Sequence, residues 1–158
     1  MDAVSLDPHC YHVTISQADL WPLGDAMPDR DEILGIIDEA YETRARGDKA
    51  ALAKYWAPAA TYRLAGAANL LPTVPVGPHE ANAAVDALID LFRFHDLERL
   101  DAVVDDGKAA IHWRVTVSTG DRAPVKTELY DLWTFDAAGK LTSLTQFTDT
   151  ALLRTMLE

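Results

Sequence analysis

The chain has 158 residues, 25 acidic against 14 basic side chains, a formal net charge of −11 and 49% hydrophobic content. That length suits one domain able to bury a core unaided, and the single cysteine, Cys10, leaves no intrachain disulfide to expect. So negative a field repels phosphate backbones and anionic lipid surfaces, which argues against nucleic acid and membrane partners.

Residues 1–28 are broken by Pro8, Pro22, Gly24 and Pro28. They sustain no helical or strand period and read as an irregular arm ahead of a single domain over 29–158. Asp2 and Asp7 stand where a signal peptide would carry basic residues. No stretch approaches the roughly 18 apolar residues of a membrane span, so a cytoplasmic protein is expected. His9, Cys10 and His12 could ligate a metal only if further ligands converged on them, and no second Cys/His cluster follows. No metal is expected.

From Pro28 the helical period sets in. Asp29 or Asp31 can cap a first helix whose stripe is Ile33, Ile36, Ile37, Ala40 and Tyr41, with Gly47 as its stop. "DKAALAKYWA" gives a second, shorter helix, and "ATYRLA" a short strand. After a loop holding Pro72, Pro75 and Gly77, Pro78 opens a third helix with Val85, Leu88, Ile89 and Phe92 on one side. Four strands follow at about 97–105, 108–119, 125–135 and 140–148, joined by "DDGK", "TGDRAP" and "DAAGK", and "DTALLRTMLE" can close the chain as a helix. Three helices, an early strand and a four-stranded meander make an α+β fold.

In "ELYDLWTFDAAGK", Asp131 falls on the same face as Leu129, Trp133 and Phe135. A carboxylate on an apolar strand face is costly unless something compensates it. On the preceding strand Ile111, Trp113, Val115 and Val117 form the more apolar face, which periodicity alone turns toward the core, leaving His112 and Arg114 outside.

The segments "ARGDKAALAKYWAPAATY" and "YDLWTFDAAGKLTSLTQFTD" give residues 29–157 a resemblance to the nuclear-transport-factor-2-like superfamily, which includes ketosteroid isomerase, SnoaL-like polyketide cyclases and limonene-epoxide hydrolase. The resemblance implies a curved antiparallel sheet wrapped around three helices to form a cone-shaped pocket, a cystatin-like α+β barrel. It implies that Asp131 lies where ketosteroid isomerase keeps a neutral, proton-donating aspartic acid. It also turns His112, Arg114 and Thr116 inward, with Tyr62, Leu64, Gln146 and Thr148. Trp113, Val115 and Val117 then form a convex face suited to a homodimer. A hairpin turning through Gly120 to Ala123 would set His112 opposite Asp131, with Cβ atoms about 5 Å apart. A slip of one residue would separate the two.

The isomerase's general base falls at Leu64, and its oxyanion tyrosine at Ala40, with Tyr41 one step round the helix. Limonene-epoxide hydrolase would need an arginine at Ala110 and acids at His112 and Gln146; only Tyr62 matches its tyrosine. Neither named activity is therefore expected.

The resemblance and the residues together imply a cofactor-independent proton-transfer enzyme, of isomerase, dehydratase or cyclase type, for a small apolar molecule such as a polyketide- or steroid-like compound. His112 would be the general acid/base, Asp131 its orienting or proton-donating partner, and Arg114 and Tyr62 the stabilisers of an anionic oxygen. Tyr41, Leu64, Leu129, Trp133, Gln146 and Thr148 would line the pocket. No cofactor is expected, since there is no Gly-rich phosphate loop or other cofactor signature. Two alternatives stay open: a non-catalytic small-molecule-binding module, and a dimerisation or scaffold domain whose cavity is filled by its own side chains.

Overall fold

A computed structural model describes residues 26–66 and 70–158. The expected arm, with His9, Cys10 and His12, lies outside the described residues but for 26–28. Helix α1 (Arg30–Ala45) starts in a capping box: Asp29 accepts from the Asp31 and Glu32 amides, and Glu32 accepts from the Asp29 amide. It stops before Gly47, whose φ of 72° favours glycine. Its buried face is Ile33, Leu34, Ile37, Ala40 and Tyr41.

A short helix α2 (Lys49–Leu52), capped by Asp48, passes through a 3-10 turn into β1 (Trp56–Leu64). That strand starts four residues earlier than the sequence pattern suggests. Helix α3 (Ala81–Leu91) starts later than Pro78, because His79 takes a left-handed φ of 68° that interrupts any helix there. It also ends sooner, as Phe92 is already extended. Then come β2 (Arg93–Asp105), β3 (Lys108–Ser118), β4 (Val125–Phe135), β5 (Leu141–Thr148) and the closing α4 (Thr150–Leu157). Among the described residues no helix is long and apolar enough to cross a membrane.

The five strands form one sheet in the order β1-β5-β4-β3-β2, with β1 parallel to β5 and the other pairs antiparallel. Strand β2 carries an extra residue at His95 and again at Leu100, where its register against β3 breaks. Such bulges bend a strand and tighten its twist. The sheet curves, and its concave side takes α1 against β2 and α3 against β1. This is the α+β architecture that the helix and strand periods indicated.

The face of β3 differs from the expectation. Val117 pairs with Val125, and the ladder running from that closure sets His112 opposite Tyr130 and Ile111 opposite Asp131. This is one residue away from the expected pairing, so His112 and Asp131 lie on opposite faces of the sheet. Ile111, Trp113, Val115 and Val117 are all buried on the concave side, at 0–4% exposure. They therefore cannot form a homodimer surface. The cause is the hydrophobic effect: burying an Ile or Val side chain is worth about 1.5–3 kcal/mol, and His112 and Arg114 offer no comparable gain inside. The outer face instead carries His112, Arg114, Tyr130, Leu132 and Phe147, the last three each more than 40% exposed.

Candidate functional site

Four polar side chains meet in the apolar interior. Tyr41 on α1 donates its phenolic hydrogen to Asp131 Oδ2 on β4. Gln146 on β5 donates from Nε2 to Tyr41 Oη at 3.0 Å, and Tyr62 on β1 donates to Gln146 Oε1 at 3.0 Å. Register explains the meeting: Asp131 pairs with Gln146 across β4–β5, and Leu64 with Gln146 across β1–β5, so their inward side chains are neighbours. Tyr41 reaches them from the buried stripe of α1. Its ring lies 4.5 Å from that of Trp113 and 5.8 Å from that of Trp133, centroid to centroid.

Asp131 is wholly buried. Desolvation pushes its carboxyl up to about 6, against the opposing hydrogen bond of Tyr41 and the nearby Gln146 amide, Arg44 charge and Trp133 indole. Burial and the neighbouring Asp131 hold the Tyr41 hydroxyl well above its ordinary range, and burial raises Tyr62 too. Tyr41 and Tyr62 are thus neutral donors, while Asp131 changes charge near neutrality. Asp131 Oδ1, Trp133 Nε1 and Trp113 Nε1 are buried without hydrogen-bond partners among the described residues. Such groups cost free energy unless a water or ligand meets them.

Two small cavities border the network. One, about 30 Å³, is lined by Tyr41, Tyr62, Trp133, Leu144, Gln146 and Arg44, among others. The second, also about 30 Å³, has Leu64, Leu129, Gln146, Thr148, Phe94 and Arg44 in its walls. Each has room for water. A wider groove of about 560 Å³ runs along β1 past Leu71 and Val74, and shares Tyr62 and Leu144 with the first cavity.

Of the residues singled out in the sequence, Asp131, Tyr62, Tyr41, Leu64, Leu129, Trp133, Gln146 and Thr148 all come to this interior. His112 and Arg114 do not. His112 Nε2 lies 2.9 Å from Glu128 Oε2, and Arg114 bridges Glu98 at 3.0 Å and Glu128 at 3.5 Å on the outer face. The His112 hydrogen bond lowers the Glu128 carboxyl below its usual range. Arg44, overlooked in the sequence, lines both cavities. Its signal was its spacing: it follows Tyr41 by three residues, hence on the same helix face. No group of three or more metal-ligating side chains occurs among the described residues.

The SnoaL-like domain family matches residues 37–144, more than half of the chain. Solved structures share the fold at low identity. An NTF2-like protein of unknown function from Burkholderia pseudomallei is 14% identical with a TM-score of 0.64, over 79% of this chain and 96% of that one. A putative isomerase from Rhodopseudomonas palustris is 21% identical with a TM-score of 0.56, over 67% of this chain and 80% of that one. The epoxide hydrolase/cyclase-like enzyme SalBIII, of pyran ring formation in the polyether salinomycin, is 18% identical with a TM-score of 0.59, over 78% and 95%. No curated protein matches the chain.

Proposed function

The chain belongs to the SnoaL-like domain family, and on that footing we propose that it is a cofactor-independent proton-transfer enzyme for a small, largely apolar molecule, with Asp131 as the acid–base group. The observation that carries this is the Tyr41–Asp131 pair: a buried carboxyl raised to about 6, hydrogen-bonded to a phenol that stays protonated. At neutral pH the Asp131 carboxylate takes a proton from the carbon next to a substrate carbonyl. The electron pair moves to the carbonyl oxygen. Once Asp131 holds the proton, the Tyr41 hydroxyl is released from it and donates to the enolate oxygen, and Tyr62 can add a second hydrogen bond by turning from Gln146. Asp131 then returns the proton to the same carbon or to a conjugated one, which completes an exchange or an isomerisation. His112 and Arg114, on the far face, have no part in this scheme; Asp131 takes the role expected of the His112 pair.

The test is proton exchange in deuterated water, followed by NMR on small cyclic ketones and enones. The native chain should speed deuterium uptake at the carbon beside the carbonyl, and Asp131→Asn should remove at least about a hundredfold of that. No uptake above buffer with any substrate, or an unchanged Asp131→Asn variant, would overturn the scheme.

One observation favours a second reading, a non-catalytic domain: each interior cavity is only about 30 Å³, against roughly 300–1,000 Å³ for pockets that hold drug-sized ligands. Saturable ligand binding without product separates a binding module from the enzyme, and absence of any binding marks a scaffold. A homodimer belongs to either reading, through the outer sheet face where Tyr130 pairs with Phe147. Sedimentation showing a monomer at micromolar concentration would exclude it.

A further inference from the structure

Arg44 stands in the wall between the two interior cavities; it and Gln146 line both. Its guanidinium lies over the Phe94 ring, 4.3 Å from the centroid, a contact that engages the planar face and not the N–H edges. Nε is buried without a hydrogen-bond partner among the described residues. Arg46, Arg99 and Arg114 are paired differently, with Glu42, Asp38 and Glu98 within 4.0 Å. Arg44 has no such carboxylate among the described residues. Its charge reaches Asp131 and both interior tyrosines only across space.

A cation part-buried among aromatic side chains with an unmet donor is costly as it stands. A neutral carbonyl could accept from the unmet N–H but would leave the part-buried charge unpaired. An anionic oxygen would answer both, because a guanidinium offers charge-assisted, often bidentate hydrogen bonds to a carboxylate. Each cavity alone is too small for an organic molecule; Arg44 and Gln146 both stand between them, and their displacement would join the space beside Tyr41 to the space beside Leu129 and Thr148.

We infer that Arg44 is the anion-binding residue of this interior, and that the ligand is a small organic acid: an apolar body bearing a carboxylate that pairs with Arg44 at the junction of the two cavities. The inference rests on the interior being a small-molecule site, and it adds to that site a charge requirement and a residue. The apolar body lies against Leu129, Trp133 and Leu144, and the reacting carbon faces the Tyr41–Asp131 pair.

The experiment compares binding of phenylacetate and phenylacetamide, equal in shape and different in charge, by calorimetry and by the fluorescence of the interior tryptophans. The native chain should bind the acid at least tenfold more tightly than the amide. Arg44→Met, which keeps an unbranched apolar stem without the charge, should bring the two together, while Arg44→Lys keeps a preference for the acid. An equal or reversed preference in the native chain, an unchanged preference in Arg44→Met, or no saturable binding of phenylacetate to the native chain would each overturn the assignment. Its failure is separable from that of the proton-transfer scheme. Asp131-dependent deuterium uptake without a carboxylate preference sinks the role of Arg44 alone, and an Arg44-dependent preference without uptake sinks the scheme alone.

Discussion

Tyr41 and Asp131, 90 positions apart in sequence, are joined by a hydrogen bond in the closed interior, which ties the first helix to the central strand of the sheet. A pair of this kind couples protonation to folding. The folded chain holds the Asp131 proton up to a pH of about 6, whereas the unfolded chain releases it near 3.8.

The first prediction is a stability change with pH. Between these values the folded state binds more protons than the unfolded one, so stability from this group is fully present below about pH 4 and is lost as pH rises through 6. The size is about 3 kcal/mol, from a shift of about two pKa units at 1.36 kcal/mol each. Asp131→Asn removes this dependence and leaves an amide that can still accept from Tyr41. Urea unfolding of both chains at pH 4 and pH 8 should show the variant gaining on the native chain at the higher pH, with the other carboxylates cancelling in the difference.

Tyr41→Phe should move the Asp131 titration upward, because the lost hydrogen bond favoured the ionised carboxyl. Carbon-detected NMR of the carboxyl reads this directly. The variant should also lose about 1–3 kcal/mol of stability, more at pH 8 than at pH 5, since the charged form loses the stronger bond.

His112→Ala and Arg114→Ala should each leave deuterium uptake unchanged and alter stability by less than about 1 kcal/mol, as expected of exposed ion pairs. A large loss of uptake in either variant would return these residues to the site and contradict the register of β3 against β4.

The two faces of the sheet should respond unequally to truncation. Trp113→Ala, at a 4% exposed position against the Tyr41 ring, should cost about 3–5 kcal/mol. Tyr130→Ala, at a 43% exposed position, should cost the monomer under about 1 kcal/mol. Thermal unfolding of the two variants at equal concentration makes the comparison.

Most of the fold was legible because the periods are strong: β3 and β4 run almost as the alternation of their apolar residues indicates. The two signals in the sequence disagree about His112: periodicity turns Ile111 and Trp113 inside, whereas the family resemblance implies the reverse. In a hairpin the parity of the closing pair decides the face of every residue, and Val117 against Val125 fixes that parity here. Asp131 was visible as a polar residue on an apolar strand face, whereas Gln146 came inward only through the family resemblance, since Thr142 and Thr148 share its face. The contact of Tyr41 with Asp131 was not, because local pattern says nothing about which helix residue will reach which strand. Arg44 lay one turn from Tyr41 but in a run of charges, "ETRARGD", where a solvated role is the ordinary expectation.

The parallel pairing of β1 with β5 bears on the order in which the molecule can be assembled. Tyr62 meets Gln146 across 84 positions, and Gln146 meets Tyr41 across 105. Contacts so distant along the chain form late and slowly, since a long loop must close before they stabilise anything. A chain emerging from the ribosome can therefore complete α1, α3 and the β2–β3 hairpin while Asp131 still lacks its final neighbours. The last strand to be synthesised is the one that seals the carboxyl from water. A chain cut before Leu141 would lack the strand that joins β1 to β4, and would be unable to hold a proton on Asp131 near neutral pH.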